Sequence, residues 1–213
     1  MDKKADLMIR KKILGPLLTN CYLIACNETK VAMVIDPAVE NITMIDELEK
    51  NSLSLKYIMN THGHYDHIGG NKMLKERYSA AQLLIHRLDA EMLTNPIKNL
   101  SFYTGNPVQS PPPDNFLEEG IDIQLGMHKV SIFYTPGHSP GSVSIKIDGK
   151  FFSGDTLFAN GIGRTDFPGG SIDQIICSIK EKIVIFGASC EILPGHGPST
   201  TIQREVKNNP WLQ

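Results

Sequence analysis

The chain has 213 residues and a net charge of −2, with acidic and basic side chains interspersed along it. That length buries a core without disulfide or metal staples. The charge pattern excludes nucleic acid as the default partner, and the lack of a long apolar run excludes a membrane span.

The four cysteines, Cys21, Cys26, Cys177 and Cys190, form no C-x-x-C pair. They read as reduced, mostly buried thiols of an intracellular protein. Met1 to Asp6 has no apolar core behind it, so no signal peptide is expected and the expected compartment is the cytoplasm. The sequence leaves the oligomeric state open.

Leu7 to Leu14 reads as a strand and Gly15-Pro16 as a turn. Asn20 to Ala25 and Val31 to Ile35 read as two further strands. Asp36-Pro37-Ala38 ends the third; Asp36 is either a turn residue or a brace for a nearby site. Asn41 is placed to cap a helix running to about Lys50. Leu55 to Asn60 is a short buried strand, and Asn71 to Tyr78 a helix. Between them lies Thr61-His62-Gly63-His64-Tyr65-Asp66-His67-Ile68-Gly69-Gly70, with three histidines and an aspartate between His62 and His67.

Side chains two apart share a side while the backbone is extended, so His62 and His64 can reach one ion together. Asp66 and His67 come where the chain turns into the helix and point elsewhere. Asp66 alone is an ordinary helix cap, but three histidines beside it have no account in solvation or packing. Metal binding is the reading that explains all four. Gly69 and Gly70 leave room for close backbone approach.

Gln82 to Ile85 is another strand, ending at His86, which reads as structural. Arg87 to Glu91 forms a helical turn. Residues 95–114 hold five prolines and little periodicity. This long loop reads as the meeting point of two similar halves of a single 1–213 domain, and as either a lid or a plain connector.

The second half repeats the plan. Ile121 to Leu125 and Lys129 to Tyr134 are strands, with His128 at an exposed turn between them. Ser142 to Ile147 and Phe151 to Ser153 form a hairpin about Asp148-Gly149. Ser171 opens a helix to about Lys182 through a capping box. Glu191 to Leu193 is a strand, and Thr200 to Lys207 a closing helix. Three Gly/Pro-flanked loops at strand ends present His138 (in Thr135 to Ser142), Asp155 (in Gly154 to Phe158) and His196 (in Pro194 to Pro198). Each loop alone is an ordinary turn; together they are a ligand set.

His62-x-His64-x-Asp66-His67 with His138, Asp155 and His196 resembles the metallo-β-lactamase-fold hydrolases. The resemblance implies an α+β fold, an αββα four-layer sandwich. It implies that His62, His64 and His138 hold one metal, that Asp66, His67 and His196 hold a second, and that Asp155 bridges both. The implied cofactor is two divalent ions, zinc first, with iron or manganese as alternatives. Two such ions about 3.5–4 Å apart activate water and polarise a carbonyl. A thiolate leaving group, with a pKa of roughly 8.5, needs little acid assistance. On that reading Asp66 and Asp155 serve catalysis as ligands.

Gly154-Asp155-Thr156-Leu157-Phe158 and Gly161-Ile162-Gly163-Arg164-Thr165-Asp166-Phe167-Pro168-Gly169-Gly170 look like the loops of short, single-domain glyoxalase II-like proteins. The implied activity is hydrolysis of S-2-hydroxyacylglutathione thioesters, with Arg164 against a substrate carboxylate or paired internally with Asp166. Asp155 stands where many zinc β-lactamases carry cysteine, so β-lactam hydrolysis is not expected. Longer glyoxalases II carry a basic C-terminal segment, whereas Gln213 is the last residue here, so another thiol carrier stays open. A mononuclear-iron persulfide dioxygenase and a lactonase are the alternatives of the same fold. The expected partner is a small-molecule thioester.

Overall fold

The computed structural model describes residues 6–213. The absence of a signal peptide was expected chiefly on residues 1–5, which lie outside the described residues. Six strands of the first half lie side by side in chain order. They are β1 (Leu7–Leu14), β2 (Thr19–Cys26), β3 (Val31–Ile35), β4 (Ser54–Met59), β5 (Gln82–Ile85) and β6 (Asn115–Phe116). The first three pair antiparallel, and β3 to β6 run parallel. Parallel neighbours need crossovers, supplied here by α1 (Ile42–Lys50) and α3 (Asn71–Arg77). A one-turn helix, α2 (Tyr65–Ile68), precedes α3, and α4 (Ala90–Thr94) follows β5.

The second sheet has the order β14, β13, β10, β9, β8, β7. Its strands are β7 (Asp122–Leu125), β8 (His128–Tyr134), β9 (Val143–Ile147), β10 (Lys150–Gly154), β13 (Glu191–Pro194) and β14 (Thr200–Thr201). A small hairpin, β11 (Leu157–Phe158) with β12 (Gly161–Ile162), projects after β10. Helices α5 (Ile172–Ser178) and α6 (Ile202–Asn208) complete the half.

Alternation along the strands explains the layers. In β2, Leu23 and Ala25 pack with Leu48, Leu74 and Ile58 on the helical side. Tyr22 and Ile24 point the other way and meet Val130, Ile145 and Phe152 of the second sheet. In β10, Phe152 faces the first sheet while Phe151 turns outward onto Ile175, Ile179 and Ile202. Both central strands are therefore apolar on both faces. Helices cover the two outer faces, giving the expected αββα sandwich.

Asn41 caps α1 by accepting from the Thr43 N–H at 2.9 Å. Ser171 caps α5 by accepting from the Gln174 N–H at 3.3 Å. The helix expected to run to Lys182 is α-helical only to Ser178 and continues as a wider π turn over Ile179–Ile183. Two readings change. His128 is buried rather than exposed, because it opens β8 and its Nδ1 pairs with Asp148 Oδ2 at 2.9 Å. The 95–114 loop returns to the first sheet through β6, so the chain crosses to the second sheet after Leu117.

Candidate metal centre

The functional side chains come from loops at neighbouring strand ends of both sheets. The 61–70 loop leaves β4 and carries His62, His64, Asp66 and His67. Gly69 and Gly70 let it press on the Ala38 and Pro37 carbonyls, where a Cβ would collide. His138 lies between β8 and β9, Asp155 follows β10, and His196 follows β13. The structure brings all seven predicted ligands into one cluster.

His64 Nδ1 is 2.9 Å from His138 Nε2. His67 Nε2 is 3.3 Å from His196 Nε2 and 3.4 Å from both Asp66 Oδ2 and Asp155 Oδ1. His196 Nε2 lies 3.3 Å from Asp66 Oδ2. Asp155 stands between the two sides, with Oδ2 3.6 Å from His138 and 3.5 Å from His196. Three groups converge within 4.8 Å: His62–His64–His138, His62–His67–Asp155 and Asp66–His67–His196.

These separations fit a metal. Ligand atoms on one tetrahedral ion with bonds of about 2.0–2.1 Å lie about 3.3 Å apart. Two buried atoms of the cluster, His62 Nε2 and Asp155 Oδ1, have no hydrogen-bond partner. Unsatisfied buried polar atoms are costly, and both belong to residues of the cluster that could hold a metal.

Electrostatics divide the cluster into two sides. Burial pushes His62 well below its ordinary value, and burial with the nearby His138 takes His64 to about 3. Both are neutral imidazoles, the form that binds metal. On the other side burial opposes charge but loses. The carboxylates Asp66, Asp155 and Asp36 raise His67 to about 9, and Asp155 and Asp66 raise His196 to about 10. Burial raises Asp66 and Asp155, yet His67 and His196 hold both below the ordinary carboxylate range. That side takes up positive charge whether proton or metal supplies it.

The rings are aimed by partners on their far nitrogens. Asp36 Oδ2 holds His67 Nδ1 at 3.0 Å, and Asp36 also accepts from the Thr61 N–H and hydroxyl at 2.8 and 2.7 Å. It does so from a left-handed backbone, φ 51°, so Asp36 is both turn and brace. His138 Nδ1 meets the Arg164 carbonyl at 2.8 Å, and His196 Nδ1 meets the Leu17 carbonyl at 3.1 Å. Gly195 and Gly163 admit the close contacts: a Cβ on Gly195 would meet Asp155 Oδ1, and one on Gly163 the Asp155 carbonyl.

Sequence reading missed three positioning residues. Asp89 is buried and accepts from the Gly63 N–H at 3.0 Å, the Gly141 N–H at 2.6 Å and the Ser139 hydroxyl at 2.6 Å. It thereby clamps the His62–His64 loop to the His138 loop. Thr19 donates to Asp66 Oδ2 at 3.0 Å. Asn20 donates to the Pro194 and Gly197 carbonyls, both at 2.9 Å, and so seats the His196 loop. Of the three, only Asn20 carries a local signal, a polar residue at the start of an apolar strand. His86 plays its expected structural part, stacking on Tyr134 at 4.6 Å.

The cluster opens into a cleft of about 900 Å³. Its walls include Leu17, Leu100, Tyr103, Phe158, Ile162 and Phe167. Leu100 and Tyr103 come from the 95–114 loop, which therefore forms wall rather than plain connection. Arg164 also lines the cleft; its Nε and Nη2 pair with Asp166 at 2.8 and 2.6 Å, and it stacks on Phe167.

Comparison with known proteins agrees with the geometry. The family model described as the metallo-beta-lactamase superfamily matches residues 14–199. Hydroxyacylglutathione hydrolase GloC of Haemophilus influenzae is 35% identical over 204 residues, covering 91% of this chain and 92% of that protein. The structure described as BLEG-1 B3 metallo-beta-lactamase superposes with a TM-score of 0.91 at 36% identity, covering 96% of this chain and 99% of that one. TTHA1623 in a di-iron-bound form gives a TM-score of 0.85 at 31% identity, covering 95% and 100%.

Two outcomes follow from this geometry. Asp36→Asn should weaken divalent-metal affinity about 10–100-fold, read by competition with a chromophoric chelator, while the fold is kept; unchanged affinity would remove Asp36 from the site. The surrounding carboxylates raise His67 to about 9 and His196 to about 10, so at pH 7 this side favours a proton that a metal must displace. Binding should release protons, read by calorimetry in buffers of different ionisation enthalpy, and affinity should climb as pH rises from 7. Zero release at pH 7 would contradict the assignment.

Proposed function

This chain belongs to the metallo-β-lactamase superfamily and is a metal-dependent hydrolase, and from that premise we propose that it cleaves thioesters of the S-2-hydroxyacylglutathione type, S-lactoylglutathione to lactate and glutathione. The observation carrying the proposal is the make-up of the cleft. Outside the metal cluster, its only ionisable lining residues among the described ones are Tyr65, Tyr103 and Arg164. Burial raises the Tyr65 hydroxyl further above neutrality. Such a cleft has no carboxylic acid or imidazole left over to protonate a poor leaving group. A thiolate, with a pKa of roughly 8.5, leaves without one.

We assign His62, His64 and His138 to one ion, Asp66, His67 and His196 to the second, and Asp155 to both. Bound there, the ions lower the pKa of a water and polarise the scissile carbonyl. The protein's part is to hold neutral Nδ1 of His64 and the Nε2 atoms of the other four rings on one point of the cleft. Asp36, Thr61 and the Leu17 and Arg164 carbonyls fix those rings. Asp89 keeps the two histidine loops in register. Leu17, Phe158, Ile162 and Phe167 exclude bulk water and cover the apolar part of the substrate. Arg164 keeps Asp166 on Nε and Nη2, and its Nη1 serves a substrate carboxylate. The GloC relative supports the thioester and the glutathione carrier. Zinc is the first choice of metal, and the di-iron-bound neighbour favours iron as the alternative.

A second reading, a β-lactam substrate, rests on the BLEG-1 likeness alone, because the cleft holds no acid for an amine leaving group and Asp155 stands where many zinc β-lactamases carry cysteine. The persulfide dioxygenase alternative requires a single iron at His62, His138 and Asp155.

The test is hydrolysis of S-D-lactoylglutathione by zinc-loaded and iron-loaded protein, with a β-lactam and a lactone alongside. Turnover of the thioester, abolished by a chelator, is expected. Arg164→Met should raise KM about tenfold and leave kcat nearly unchanged, the loss of one charge-assisted hydrogen bond. No thioester turnover in folded, metal-replete protein sinks the proposal, and oxygen uptake with a persulfide would replace it.

A further inference from the structure

A second cluster of metal-ligating side chains lies at the other end of β2. Thr19 opens that strand against Asp66; Cys26 closes it, about 23 Å along at roughly 3.3 Å per residue. There a Cys26 sulfur, a Glu28 carboxylate oxygen and a His128 ring nitrogen all lie within 4.8 Å of one another. Cys26 and Glu28 belong to the first sheet and the turn after it, and His128 opens β8 of the second.

His128 gives the cluster its direction. The residue is 3% exposed, and its Nδ1 is taken by Asp148 Oδ2 at 2.9 Å. A carboxylate on Nδ1 fixes the tautomer that leaves Nε2 as a bare lone pair. That Nε2 is buried and has no hydrogen-bond partner. Carboxylate, imidazole and open nitrogen in this order is the arrangement that orients a metal-bound histidine. Cys26 is equally suited. Burial raises its thiol, but hydrogen bonds from Thr29, Met127 and Glu28 outweigh burial and bring it below its ordinary value. Its Sγ is 3.5 Å from Glu28 Oε2. Gly126, at φ 58°, allows the β7–β8 turn to close on Cys26, where a Cβ would meet Cys26 and Thr29.

We propose that Cys26, Glu28 and His128 form a separate cation site, selective for zinc or another thiolate-preferring divalent ion, that staples the two sheets at the end of the sandwich away from the His/Asp cluster. Thiolate, imidazole and carboxylate are the three zinc donor types, and the exposed Glu28 leaves the ion an entry from solvent. The site ties together elements about one hundred residues apart in sequence, so its ion stabilises the folded state by mass action.

The test uses cobalt(II) on full-length protein first stripped with a chelator. The His/Asp cluster has no sulfur donor, so a thiolate-to-cobalt charge-transfer band in the near ultraviolet reports a cysteine-bound ion alone. The wild type should show the band and bind one more equivalent of cobalt than Cys26→Ser. The band should vanish in Cys26→Ser and persist in Cys177→Ser, whose thiol is exposed. Glu28→Gln should raise the half-saturating cobalt concentration about tenfold. No band in the wild type at saturating cobalt overturns the proposal. So does a band that survives Cys26→Ser, or one insensitive to both Glu28→Gln and His128→Gln. Should Cys26→Ser lose its fold by circular dichroism, the other two variants decide.

Discussion

Seven histidine and aspartate side chains share one small, largely dehydrated volume, and that crowding is the constraint on which the rest of the structure depends. Buried polar atoms without partners cost about 1–3 kcal/mol each. His62 Nε2 and Asp155 Oδ1 are in that position, and His67 and His196 hold protons only because carboxylates surround them. Divalent cations held by these groups would relieve those penalties together. The cluster is thus arranged to take up positive charge, from protons or from metal.

Holding such a cluster requires rigid support from both sheets. The central strands β2 and β10 are apolar on both faces and lock the layers together. Their ends present loops whose backbones are tied by a few buried carboxylates and amides. Asp36 links β3 to the 61–70 loop, Asp89 links that loop to the His138 loop, and Asn20 links β2 to the His196 loop. Each clamp joins segments far apart in sequence, so ligand positions are set by the whole fold rather than by any one loop. The 95–114 and 161–170 loops shape the walls of the cleft, and the second also carries the Arg164 carbonyl that fixes His138.

This division explains what the sequence made legible. Strand limits came out within about two residues because alternation and Gly/Pro punctuation are local signals. The ligands stood out because histidines between glycines and prolines at strand ends have no packing role. Asp36 was ambiguous between turn and brace because it is both. Asp89 was invisible: its partners Gly63, Ser139 and Gly141 lie 26, 50 and 52 residues away. His128 reads as an exposed turn residue in the sequence because its burial comes from the Asp148 turn and the end of β2, both remote in the chain. The two-residue strand β6 is set by pairing with β5, which no local pattern announces.

The central claim is that the cluster holds two ions, one at His62, His64 and His138 and one at Asp66, His67 and His196, with Asp155 reaching both. Anomalous diffraction from crystals of the metal-loaded protein tests it most directly. The account predicts two peaks inside the cluster, each surrounded by its three named ligands and shared at Asp155. A single peak at His62, His138 and Asp155, or no peak within reach of these side chains, would contradict it.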